Sequence, residues 1–217
     1  MPDTIIFDID GTLVDSNYQH ALAWSRALRR YDITVPLWQI HRAIGMGGDQ
    51  LITHVAGEQA EAEHGDELRS AWAEEFEPLL PEIAAFADAV PLLTTVKERG
   101  LTLVLASSGA PQHVQAYLEL VNAQRLADGW TTSDDVESTK PSPDLVQAAM
   151  KKVGATSAVM IGDSTWDARA AGKLGVPTFA VRTGGFSDTE LRDAGAIAVY
   201  NSLSGLQADL DRIIGRN

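Results

Sequence analysis

The sequence predicts an α/β fold: a doubly wound parallel sheet carrying an all-helical insertion after its first strand. Three observations carry this. Short Val/Ile/Leu-rich runs alternate with helical patterns along most of the 217 residues, as expected of strands buried on both faces of a parallel sheet. The stretch between about Asp15 and Pro81 breaks the alternation and offers no strand. Residues able to do chemistry cluster where the strands end, which is where open parallel sheets bind ligands.

In chain order, Thr4 to Phe7 is the first strand, and it runs into Asp8-Ile9-Asp10-Gly11-Thr12. Side chains alternate in an extended segment, so Asp8 and Asp10 point the same way. Gly11 lets the chain turn sharply. Two close carboxylates repel, and burial raises the cost. A chain tolerates that where a cation lies between them or where they react, which makes the pair a candidate metal and catalytic site. A calcium loop is rejected: the glycine comes directly after the second Asp, and Gln19 stands at the closing position where glutamate is required.

The insertion comes next. Ala21, Trp24, Leu28 and Tyr31 share a helical face, and Ala60 to Phe76 is helical in character. The expected division is a core of residues 1–14 and 82–217 and a helical domain of residues 15–81. Its hinges are placed at Leu13 to Ser16 and Pro78 to Pro81. Trp38 and Trp72 are assigned to the core of the insertion.

Beyond it, Pro91 to Arg99 forms a helix stopped by Gly100. The strand Leu101 to Ala106 then enters Ser107-Ser108-Gly109, where a hydroxyl and free backbone N–H groups can hold a phosphate. A weaker strand lies near Trp130. Thr139-Lys140-Pro141-Ser142-Pro143-Asp144 places a lysine just before a helix of Ser142 to Val153, which Gly154 ends. The strand Ala158 to Ile161 ends in Gly162-Asp163-Ser164-Thr165-Trp166-Asp167, with the second carboxylate four residues after the first. Strands at Thr178 to Val181 and Ile197 to Val199 come after it. Leu203, Leu206, Leu210 and Ile213 give a C-terminal amphipathic helix. Each motif alone has an ordinary explanation as turn former, surface lysine or helix cap. Their joint occurrence at successive strand ends does not.

Composition narrows the function classes. The chain is 45% hydrophobic, contains no cysteine and carries a formal net charge of −13. Disulfides and thiolate metal sites are excluded. The charge argues against nucleic-acid and anionic-membrane partners. No apolar run is long enough to span a membrane, and no signal-peptide pattern opens the chain. The expected compartment is the cytoplasm, and an anionic substrate would need local positive charge.

With these motifs in hand, the chain resembles the haloacid dehalogenase (HAD) superfamily, whose core is Rossmann-like. It is most similar to the branch with a helical cap after the first motif, which includes phosphoglycolate phosphatases and beta-phosphoglucomutases. The resemblance runs from Ile5 to about Ala196 and rests on DxDGT, the serine after the second motif strand, Lys-Pro and GDSxxD. It implies that Asp8 is a nucleophile forming an aspartyl-phosphate and that Asp10 is its acid–base partner. It implies magnesium held by the Asp8 carboxylate, the Asp10 backbone carbonyl and Asp163. Ser107 and Lys140 would stabilise the transferring phosphoryl group, while Ser164 and Asp167 would support the site. Thr12, His20, Gly45, Gly47, Gly48, Ser108 and Gly109 join Ser107 and Lys140 as expected substrate contacts. The expected partner is a small phosphorylated metabolite, and the expected state a monomer or weak dimer.

The same branch raises an alternative, a sugar-phosphate mutase. Asn17 to Trp24 is similar to that group, in which a histidine here (His20) links to the hinge and the acid–base residue. Against it, glycine stands in Ile44 to Leu51 where those mutases place an arginine, and the first lysine is Lys97, after the cap. Arg42 and Arg69 remain as substitutes for gripping a second phosphate. Thr12 stands where mutases carry a bulkier apolar residue. Ala87-Asp88 replaces the family's usual Pro-Gly before the next core helix. A dehalogenase is disfavoured because Asp10 is present. A serine hydrolase at Ser108 fails because the last histidine is His113. Phosphatase is therefore the preferred expectation.

Overall fold

The computed structural model describes residues 1–216. Its elements run β1 (Thr4–Asp8), β2 (Val14–Asp15), α1 (Asn17–Arg29), α2 (Leu37–Ala43), α3 (Gly48–Ala56), α4 (Glu58–Phe76), β3 (Ala84–Ala85), α5 (Ala89–Glu98), β4 (Thr102–Ala106), α6 (Pro111–Leu120), α7 (Ala123–Leu126) and β5 (Gly129–Thr131). They continue α8 (Asp144–Val153), β6 (Ala158–Gly162), α9 (Thr165–Gly172), β7 (Thr178–Val181), α10 (Asp188–Asp193), β8 (Ala196–Tyr200), α11 (Leu203–Ala208) and α12 (Leu210–Ile213).

Six strands form one sheet in the order β5-β4-β1-β6-β7-β8, with every neighbouring pair parallel. The chain leaves β1 towards β4 and β5 on one side, then crosses back to β6, β7 and β8 on the other. The reversal falls at β1, so a crevice opens beyond its C-terminal end. Ile5, Ile6 and Phe7 are fully buried. Phe7 and Ile5 pack on one face of the sheet with Leu103, Leu105, Val159 and Ile161. Ile6 packs on the other with Val104, Met160, Leu145 and Val146. Burial on both faces is why these strands read as unbroken apolar runs.

The four helices α1 to α4 share a cluster of their own that includes Trp24, Leu28, Ile40, Leu51, Ile52 and Leu68. Ala23, Phe76 and Leu79 pack instead into the larger cluster under the sheet. At the base of these helices Val14 pairs with Ala85 and Asp15 with Ala84, antiparallel. This two-residue ribbon joins the outgoing and returning chain. It is too short to leave an alternating pattern in the sequence.

Three sequence expectations need correction. Trp38 is 66% exposed: Ile40 and Ala43 take the buried face of α2, and a residue two positions before Ile40 falls on the opposite side. The helix expected from Ser142 begins at Asp144. A turn closes first, with Ser142 N donating to Thr139 O at 2.9 Å, while Ser142 Oγ donates to Asp144 Oδ1 at 2.8 Å. The C-terminal helix is two short helices broken at Asp209, where the carboxylate accepts from Tyr200 Oη at 2.7 Å. Its apolar face survives the break: Leu203, Leu206, Leu210 and Ile213 are all buried. Among the described residues no helix is long and apolar enough to cross a membrane.

Candidate active site

Asp8 is the last residue of β1 and is 1% exposed. Lys140, equally buried, reaches it from the turn before α8 and donates from Nζ to Asp8 Oδ1. The same ammonium donates to Asp167 Oδ1 at 2.9 Å. Asp167 is fixed by helix chemistry. Ser164 and Asp167 form a reciprocal capping box at the start of α9, in which Ser164 Oγ and N donate to Asp167 Oδ2 at 2.6 and 3.1 Å. Because Ser164 caps the helix, Asp163 is free to face the site. Its carboxylate accepts from Thr12 Oγ1 and from Asn17 Nδ2, both at 3.0 Å. Asp8, Asp163 and Asp167 each place a carboxylate oxygen within 4.8 Å of the others.

Asp10, next to that cluster, has partners of its own. Its carboxylate accepts from Ser16 Oγ at 2.7 Å and from Ser107 Oγ at 3.3 Å, and it lies 2.9 Å from His20 Nε2. Asp8 and Asp10 thus hold different hydrogen-bond partners, while the Asp10 charge still acts on Asp8. β1 ends at Asp8, and the chain turns at Gly11 (φ +73°) just after Asp10.

Burial is the largest influence on Asp8 and pushes its pKa well above the carboxylate range; Asp167, Asp163 and Asp10 add to the rise, and Lys140 opposes it. Burial, with Asp167 beside it, pushes Asp163 up to about 7 against the Asn17 and Thr12 hydrogen bonds. For Asp10 burial also favours the neutral acid, but His20 and the Ser16 hydroxyl overcome it and hold the group at about 2. Burial would discharge Lys140, yet Asp167 and Asp8 outweigh it and raise its pKa. The two halves of the site are therefore set to hold protons with very different strengths.

Glycines allow the close packing around Asp163. A Cβ on Gly11 would collide with Asp163 Oδ2 and the Asn17 amide, and one on Gly184 would overlap Asp163 Oδ2.

A cavity of about 510 Å³ opens above Asp10. Ser108 and Gly109 line its sheet side, and His20, Trp24, Trp72 and Gly48 line its helical side. His20 is held in an aromatic stack, 4.2 Å from Phe76 and 5.6 Å from Trp72 between ring centroids, with Tyr117 Oη 3.3 Å from its Nε2. Gly45 and Gly47, expected as substrate contacts, do not line the cavity. They seat the loop before α3 on the sheet domain: Gly47 N donates to Thr139 Oγ1 at 2.9 Å, and a Cβ on Gly45 would come within 2.9 Å of Ser164 Oγ. Thr12 also lies outside the cavity lining, between Asp163 and, at 3.4 Å, Asp8. Ser107 is fully buried and accepts from Gly109 N at 2.9 Å.

Sequence reasoning missed three contributors. Asn17 carries no signal of its own, and only its place opening the first helix after DxDGT hints at a part in the site. Asp49 accepts from the backbone N of Thr139 at 3.0 Å and from its hydroxyl, which ties α3 to the turn that carries Lys140. Trp72, expected in the interior, is half-buried and forms a cavity wall.

Known proteins share this architecture. A family model described as haloacid dehalogenase-like hydrolase matches residues 5–181. The crystal structure of a hydrolase from Pseudomonas syringae superposes with a TM-score of 0.90 at 36% identity, covering 97% of this chain and 98% of that one. A phosphoglycolate phosphatase from Caulobacter vibrioides is 29% identical over 206 residues, covering 92% of this chain and 86% of its own. A validoxylamine A 7'-phosphate phosphatase from Streptomyces hygroscopicus is 25% identical over 185 residues, covering 79% and 81%. The chain belongs to the haloacid dehalogenase-like hydrolases.

Proposed function

We propose that the protein is a magnesium-dependent phosphatase that hydrolyses a small phosphate monoester through an aspartyl-phosphate on Asp8. The observation that carries this reading is the buried Asp8 carboxylate at the end of β1, pinned by Lys140 beside a cavity that Asp10 lines.

The donor set fits a divalent cation. Three buried carboxylates (Asp8, Asp163, Asp167) face one ammonium, Lys140, which leaves an excess of two negative charges. Asp167 commits its oxygens to Lys140 and Ser164. Asp8, Asp163 and the Asp10 backbone carbonyl remain as hard oxygen donors, the type magnesium prefers. Asn17 Oδ1 is buried beside them with no hydrogen-bond partner, a site suited to a cation's retained water. Magnesium, when bound, screens the carboxylates from the incoming phosphate.

The chain's own residues divide the remaining work. An Asp8 oxygen attacks phosphorus as the ester bond to the leaving oxygen breaks. Asp10 protonates that oxygen, then takes a proton from the water that hydrolyses the aspartyl-phosphate. Its low pKa leaves it ionised and open to a proton, and the approach of a phosphate dianion raises the pKa towards the range both roles need. The Ser107 hydroxyl, the Ser108 backbone N–H and Lys140 stabilise the equatorial oxygens. His20 positions Asp10. Residues 15–81 act as a cap that excludes water over a core of residues 1–14 and 82–217, and the β2–β3 ribbon is its hinge. The reading includes a cytoplasmic setting and a monomer or weak dimer.

Hydrolysis is preferred to phosphoryl transfer between sugar positions because both cationic substitutes are occupied. Arg42 pairs with Glu190 and stacks on Phe186 at 3.9 Å, and Arg69 is bound to Glu61 and Asp66. Phosphate release from an aryl phosphate and a panel of small monoesters, with magnesium and with chelator, tests the proposal. Magnesium-dependent release is expected. Conversion of a hexose phosphate to its isomer without release would replace it.

Two further results are expected from the metal site. Gly184→Ala pushes on Asp163 and should weaken the apparent magnesium affinity by about 10–100-fold, the scale of misplaced ligands; a titration of activity against magnesium reads this directly, and unchanged affinity would exclude the assigned role of Asp163. The second concerns pH. Asp163 rises from an ordinary 3.8 to about 7 in the folded protein, so the native state binds its proton more tightly than the unfolded chain does. Its destabilising effect is absent below about pH 4 and grows as pH rises through about 7. Metal-free protein should therefore melt several degrees lower at about pH 8 than at about pH 5, and magnesium should restore the loss at the higher pH. Melting curves in chelator that do not change with pH would contradict the metal assignment.

A further inference from the structure

The charge inside the cavity says what kind of alcohol leaves. Beyond Asp10, the lining holds one Lys or Arg side chain among the described residues, Arg69. Its guanidinium is already committed: Nη1 donates to Glu61 Oε1 and Oε2 at 2.8 and 3.1 Å, and Nη2 to Asp66 Oδ1 at 2.8 Å. Two carboxylates thus face one cation. Asp49 and Glu137 add two more negative charges to the lining. Asp49 also accepts hydrogen bonds from Thr139. Glu137 is exposed and has no hydrogen-bond or ion-pair partner among the described residues. Between these groups the walls are apolar: Trp24, Trp72, Ile44, Met46 and Val136. His113 adds no fixed positive charge, because burial lowers its pKa.

A carboxylate or second phosphate on the leaving group would enter this field with no counter-charge and would lose its hydration. An amine would gain from it, and a neutral body would gain from the apolar walls. The volume of about 510 Å³ also exceeds what a two-carbon acid fills. The geometry points to a substrate whose leaving alcohol is larger than glycolate, bears no negative charge, and presents an apolar body with a hydroxyl or amine towards Glu137 and Asp49. This rests on the phosphatase reading and refines it, setting the chain apart from its relatives named as phosphoglycolate phosphatases.

The test uses three aryl phosphates of matched shape: para-carboxyphenyl, para-(hydroxymethyl)phenyl and para-(aminomethyl)phenyl phosphate. Each is assayed with the wild-type chain and with Glu137→Lys in magnesium at low ionic strength. The hydroxymethyl and aminomethyl esters are expected to exceed the carboxylate ester in kcat/KM by about tenfold, the scale of one unscreened like charge at this range. Added salt should narrow the gap, and Glu137→Lys should close most of it. Equal or faster turnover of the carboxylate ester by the wild-type chain would overturn the inference. If none of the three releases phosphate, the phosphatase reading falls, and binding decides instead. The same esters are then titrated against the intrinsic fluorescence of Trp24 and Trp72. Weaker binding of the carboxylate ester upholds the inference. Equal or tighter binding of that ester, or no binding of the other two, overturns it.

Discussion

Asp8→Asn is expected to remove turnover by roughly four to six orders of magnitude, the scale seen when a covalent nucleophile is lost. Asparagine has the shape of aspartate and fits the same buried position at the end of β1. Its amide cannot attack phosphorus. The change also removes one of three crowded carboxylates while Lys140 keeps its contact with Asp167, so the fold should survive with stability near or above that of the wild type. Steady-state phosphate release with a thermal melt alongside separates the two effects. Residual activity within tenfold of wild type would mean that Asp8 is not the attacking group.

Lys140→Ala is expected to damage both stability and activity. Lys140 is among the largest fully buried side chains in the molecule, and its ammonium is the common partner of Asp8 and Asp167. Its removal leaves two uncompensated carboxylates in a closed site, a loss of about 3–5 kcal/mol for a broken buried pair. It also removes fixed positive charge from the phosphoryl position, at about 10²–10³-fold in kcat for a lost stabilising donor. Arginine should not rescue it, because a planar guanidinium cannot replace a compact ammonium in this enclosure. Magnesium should stabilise the variant more than the wild type, since the cluster then lacks its ammonium. Chemical denaturation with and without magnesium reads the stability arm. A variant as stable as wild type in chelator would show that Lys140 is not the partner that holds the cluster together.

The sheet was legible because its strands are short and apolar on both faces; Ile5 to Phe7 and Val159 to Ile161 are buried without alternation. The site residues on the sheet side were legible for a related reason. Asp8, Ser107 and Asp163 each stand where an apolar run ends, and Lys140 stands before a proline a few residues ahead of a helix, so a polar residue at each position stands out. The rest stayed hidden because it depends on contacts far apart in sequence. Asn17 meets Asp163 across 146 positions and Asp49 meets Thr139 across 90, and no local pattern reports either. Trp38 illustrates the same limit. Bulk and aromaticity alone do not say which helical face is covered, and on that helix the covering is decided by Ile40 and Ala43.

The proposed chemistry turns on phosphate passing through a covalent bond to one named carboxylate. The most direct measurement is rapid acid quench of magnesium-loaded enzyme during turnover, with peptide mass spectrometry of the quenched protein. A transient phosphate adduct is expected on Asp8 itself, and none in Asp8→Asn. An adduct on another residue would refute the covalent route through Asp8. So would burst-free hydrolysis with no adduct at any quench time, in an enzyme that still turns over after Asp8→Asn.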